Sequence, residues 1–119
     1  MSTIASDPVW LPHRYDPQHD AIHFRHTSRA AHGAATFLTD EYLGEAKPTI
    51  VARTTALAQA GPPAPLRFIL HSAFCCSTLL ARAFDAPGLA MGLKEPVILN
   101  DLIGWQLRGG EGRQIANVL

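Results

Sequence analysis

Three prolines within four residues, Pro62-Pro63-Ala64-Pro65, constrain this chain more than any other feature. Each fixes its own φ and removes a backbone donor, so neither a helix nor a sheet ladder can run through them. The tract predicts a stiff spacer over 62–66. It separates an amino-terminal arm over 1–61 from a second unit over 67–119. Within the arm, Pro8, Pro12 and Pro17 prevent a regular helix and predict an extended lead-in, with Trp10 and Leu11 as anchors onto the body.

After the lead-in, Ala21-Ile22-His23-Phe24-Arg25 alternates apolar and polar side chains and predicts a short strand with Ile22 and Phe24 on one face. Thr27 or Ser28 is placed to cap a helix through Leu38, with a further turn at Asp40-Glu41-Tyr42-Leu43 ended by Gly44. The alanine-rich run from Thr49 to Ala60 predicts a helix closed by Gly61.

Beyond the spacer, Phe68-Ile69-Leu70 predicts a buried strand, His71-Ser72-Ala73-Phe74-Cys75-Cys76 a tight loop, and Ser77-Thr78 the opening of a helix. At a helix start the first N–H groups lack intrahelical partners and the dipole is positive, so such a loop suits a phosphate or sulfate. Asp85-Ala86-Pro87-Gly88 is a turn, and Leu89-Ala90-Met91-Gly92-Leu93 predicts a second strand parallel to the first. Pro96 opens an apolar helix containing Val97, Ile98, Leu102 and Trp105, broken by Gly109-Gly110, and another helix runs from Glu111 to Leu119. Strand, loop, helix, strand and helix make one right-handed βαβ unit. The expected fold class is therefore α/β: a partial three-layer α/β/α unit behind an irregular arm. A sheet of that kind needs more units to cover both faces, so either a carboxy-terminal portion is missing or a homo-oligomer supplies the rest.

A formal net charge of zero argues against an electrostatic nucleic-acid binder. No apolar window is long enough for a membrane span, and residues 1–8 have neither the basic region nor the apolar core of a secretory signal. The two cysteines are neighbours, Cys75 and Cys76, which rules out a long-range disulfide framework and makes the cytoplasm the default compartment. His19, His23 and His26 lie close in sequence, but an extended chain points His23 and His26 to opposite faces, so no metal site is expected.

These residues resemble the sulfotransferase branch of the P-loop superfamily, whose opening strand leads into Gly-x-Pro-Arg/Lys-Ser-Gly-Thr-Thr-Leu-Leu. Here Ser77-Thr78-Leu79-Leu80 matches the end of that motif, and Phe84-Asp85-Ala86-Pro87-Gly88 is similar to the family's helix end. Phe74 stands in place of the loop's basic residue and Cys76 in place of its glycine. The resemblance implies that His71, Ser72, Ala73, Phe74, Cys75, Cys76, Ser77 and Thr78 wrap the phosphosulfate of 3′-phosphoadenosine 5′-phosphosulfate. It also implies roles for Lys94-Glu95. Several carbohydrate sulfotransferases carry such a pair after their second strand, with the glutamate as base. Glu95 would take the proton of a hydroxyl acceptor, and Lys94 would offset charge on the transferring group.

Two other classes compete. A non-catalytic fragment or assembly module would keep the βαβ unit without the chemistry. A cysteine phosphatase-like enzyme would use the Cys-x5-Arg pattern from Cys76 to Arg82, although helical continuation through Leu79-Leu80-Ala81 would point Arg82 away from the loop.

Overall fold

The computed structural model describes residues 3–119. Three antiparallel strands form its sheet: β1 (Trp10–Asp16), β2 (Ala21–His26) and β3 (Thr49–Ala52), in the spatial order β1-β2-β3. The central strand is the one foreseen from alternation, and Ile22 and Phe24 are both buried. β1 arises within the lead-in that the prolines mark as extended. Pro12 is tolerated because β1 is an edge strand, where a missing donor costs little. The register shifts between Pro12 and Arg14, so the ladder carries an irregularity at His13.

The helix expected over Thr49 to Ala60 is half strand. Thr49, Ile50 and Val51 pair with Phe24, His23 and Ile22, as suits β-branched side chains beside a strand. The helix α3 (Arg53–Gln59) begins only afterwards. Its first residue closes the hairpin. The Arg53 guanidinium donates to both oxygens of Asp20, at 2.7 and 2.9 Å, and Tyr15 Oη donates to Asp20 Oδ1 at 2.7 Å. The Arg53 bonds, with that from Tyr15, hold the Asp20 carboxyl below the usual carboxylate range. Burial, reinforced by that hydrogen bond, pushes the Tyr15 phenol up to about 12.

Helix α1 (Arg29–Ala34) is capped by Ser28, whose hydroxyl accepts from the Ala31 N–H at 3.1 Å. It stops short of Leu38. Helix α2 (Asp40–Leu43) ends at Gly44, whose φ of 72° is the conformation that glycine supplies freely. After the spacer come α4 (Ser77–Ala83), α5 (Ile98–Leu107) and α6 (Gly112–Val118). The break after α5 falls at Gly109, as expected.

The parallel βαβ pairing expected beyond the spacer is not formed among the described residues. Phe68-Ile69-Leu70 belongs to no strand, and Leu70 is 93% exposed. Among the described residues, none of 61–71 takes part in a backbone–backbone hydrogen bond. The run Leu89 to Leu93 contributes only an isolated bridge, Ala86 to Ala90, that closes a turn. Apolar composition marks a buried strand only where a neighbouring strand is present to satisfy its backbone. Here the ladder forms among residues 10–52 instead.

The main core joins both sides of the spacer. Tyr15, Ile22, Phe24 and Ala56 pack with Ile98, Leu102 and Ile115, so α5 and α6 cover the sheet. Asp101 of α5 fastens the seam. Its carboxylate accepts from Arg14 Nε and Nη2 at 2.8 and 2.9 Å and from the Tyr15 backbone N–H at 3.0 Å. A smaller core holds Leu11, Ala35 and Leu38. Among the described residues, no helix is long and apolar enough to cross a membrane.

Candidate active site

The loop foreseen at His71–Cys76 leads into a helix that starts at Ser77. Cys76 is its N-cap residue and sits in the left-handed region, φ 61° and ψ 23°; Phe74 has φ 59°. Non-glycine residues rarely adopt such values, and they cluster where a backbone must be aimed. The backbone at Cys76 therefore takes a conformation that glycine adopts more readily. No side chain caps α4. Its opening N–H groups and the Ser77 and Thr78 hydroxyls thus stand at the loop's mouth as donors.

Glu95 reaches this loop. Its Oε1 lies 3.6 Å from His71 Nε2, an ion-pair distance too long for a hydrogen bond. His71 Nδ1 is 3.1 Å from the carbonyl oxygen of Ser72. Glu95 itself has φ 47°, a further left-handed residue at the place where the chain turns toward the loop. Two residues more than twenty positions apart in sequence, His71 and Glu95, therefore come close. Ser72, Ala73 and Phe74 are exposed, as are both thiols, Cys75 and Cys76.

Lys94 faces the other way. It is 4% exposed, and its Nζ donates to the carbonyl oxygens of His32 (3.1 Å), Gly33 (3.0 Å) and Ala35, all at the end of α1. Those three acceptors use the three N–H bonds of an ammonium. Burial, together with the nearby Arg82, lowers the Lys94 pKa; Asp85 opposes them. Leu79-Leu80-Ala81 is helical, and Arg82 therefore lies on α4 near Lys94. The segment before Lys94 packs tightly on α4. A Cβ at Gly92 would lie 2.4 Å from the Ala81 carbonyl oxygen. Backbone cannot rotate aside, so Gly92→Ala is expected to destabilise the fold by about 1–3 kcal/mol. Chemical denaturation checks this; an unchanged midpoint would show that the contact is not made.

Polar ties that the sequence did not announce surround a different face. His13 Nε2 bonds Asp40 Oδ1 at 2.7 Å, and that bond leads the forces holding the Asp40 carboxyl below its usual range. An open cleft of about 470 Å³ is lined by Arg14, Tyr15, His23, Asp101 and Arg108, among others, and includes no residue of His71–Thr78. The Arg14–Asp101 partners are 87 residues apart, and nothing local in the sequence signals the pairing. Among the described residues, no three His, Cys, Asp or Glu side chains converge as a metal site. No protein family, curated protein or solved structure matches the chain.

Proposed function

We propose that the chain is a sulfotransferase-like, P-loop-type protein that binds 3′-phosphoadenosine 5′-phosphosulfate at His71–Thr78. The observation that carries this reading is the approach of Glu95 to His71 of the loop. In this reading Phe68-Ile69-Leu70, which forms no strand here, stands in sequence order where the resembled family has the strand before its phosphate loop. The α4 N–H groups and the Ser77 and Thr78 hydroxyls bind the phosphosulfate oxygens. Glu95 takes the proton of the acceptor hydroxyl as its oxygen attacks sulfur. The bond from sulfur to the bridging oxygen breaks, and that electron pair stays on the departing 5′-phosphate. Lys94 serves by position, because its grip on α1 fixes the segment that presents Glu95.

Calorimetric titration with 3′-phosphoadenosine 5′-phosphate tests the loop. The wild-type chain is expected to bind, and Thr78→Val to bind roughly tenfold more weakly, the loss of one charge-assisted hydrogen bond. Circular dichroism establishes that both are folded. A folded wild-type chain that gives no heat, or a variant that binds as tightly, would overturn the reading.

The assembly-module reading is favoured by a different observation. Leu66, Phe68 and Leu70 are exposed on a stretch whose backbone is unpaired. Concentration-dependent oligomers in sedimentation, together with absent nucleotide binding, would put that reading first.

A further inference from the structure

His32 is the residue whose burial the active-site reading does not use. It lies in the last turn of α1, is 1% exposed, and neither ring nitrogen has a hydrogen-bond partner. A buried polar group without a partner is costly and calls for an explanation. The groups around it are mostly cationic. Arg29 is on its own helix, Lys94 sits against its backbone carbonyl, and Asp85 follows α4 and is ion-paired to Arg29. Arg82 of α4 adds a further positive charge beside Lys94. With His32 neutral, three cations share one carboxylate; a proton on His32 would make it four.

The same place ties three parts of the chain together. Lys94 Nζ holds the α1 carbonyls, the Leu38 N–H donates to Lys94 O at 2.8 Å, and the Val97 N–H donates to Leu38 O at 3.3 Å. Glu95 sits between these ties and faces His71. Whatever loosens Lys94 from α1 therefore also loosens Glu95 from the loop.

We propose that His32 is an acid-sensitive latch, whose protonation forces residues 93–97 off α1 and withdraws Glu95 from the loop. Burial, then the Lys94 charge, lower its proton affinity; Asp85 pulls the other way, and Arg29 adds a smaller lowering. Its pKa in the closed form lies below the ordinary 6.5, so the open form binds the proton more readily. The latch is at full strength above 6.5 and weakens as pH falls below that value. What the withdrawal of Glu95 does to sulfuryl transfer rests on the phosphosulfate reading, whereas the latch does not.

Amide hydrogen exchange on the full chain, corrected for intrinsic rates, tests it at pH 7 and pH 5. The Leu38 and Val97 amides are expected to lose about tenfold in protection relative to the β2 amides on going to pH 5. In His32→Leu that selective loss should disappear. Leu38 and Val97 amides that track β2 in the wild-type protein would overturn the proposal, as would a selective loss that survives in the variant. Should His32→Leu fail to fold, NMR titration of the wild-type ring decides. A pKa at or above 6.5 refutes the latch, and one below it with protection lost over the same range supports it. None of these readouts depends on nucleotide binding.

Discussion

Replacing Phe24 with alanine is expected to lower the unfolding free energy by roughly 3–5 kcal/mol. Phe24 lies on the central strand, is buried, and packs in the core that joins the sheet to α5 and α6. Truncation removes the transfer free energy of the ring and leaves a space that strands on both sides prevent from collapsing. A domain of this size has a total stability on the order of 5–15 kcal/mol, so the change is a large share of it. Urea denaturation measures the effect as a fall in midpoint at constant slope. A loss below about 1 kcal/mol would mean that the ring is not enclosed by α5 and α6 as described.

The second large effect is expected at Lys94. Lys94→Met keeps the apolar stem but removes the donors that satisfy three carbonyls at the end of α1. Each buried acceptor left without a donor is destabilising, and the sum is expected to be about 2–4 kcal/mol. Part of the loss is offset, because the buried ammonium no longer needs to be desolvated. This outcome separates two roles. A lysine that contacts the transferring group directly would give a variant with wild-type stability and impaired donor binding. A lysine that fixes α1 to residues 93–97 would give a less stable protein, with selective loss of protection at Leu38 and Val97.

The parts of the fold visible in the sequence are those set by local chemistry. Alternation exposed β2, Thr27-Ser28 marked the start of α1, Gly44 the end of α2, Ser77 the start of α4, and Gly109-Gly110 the stop after α5. The parts that were not visible depend on partners far along the chain. Pro12 suggests irregular backbone until one knows that β1 is an edge. Thr49 to Val51 lie in an alanine-rich run and become a strand only because β2 is beside them. Phe68 to Leu70 has the composition of a buried strand and no neighbour to pair with. At the candidate site, the loop and the nearby carboxylate were legible, whereas the direction of Lys94 was not. Its ammonium answers carbonyls about sixty residues earlier, and a sequence motif carries no information about that partner.

The shared core also sets an order on folding. The hairpin of β1 and β2 closes locally and Ala56 of α3 follows, but α5 and α6, which complete the cover of Phe24 and Ile22, begin only at Ile98. At roughly 5–20 residues per second, synthesis from one to the other takes several seconds. For that interval the sheet's apolar face lacks the cover that α5 and α6 supply, and the closing contacts span loops as long as that between Arg14 and Asp101. Until α5 emerges, part of the apolar face of a nascent chain of this design is therefore open to solvent.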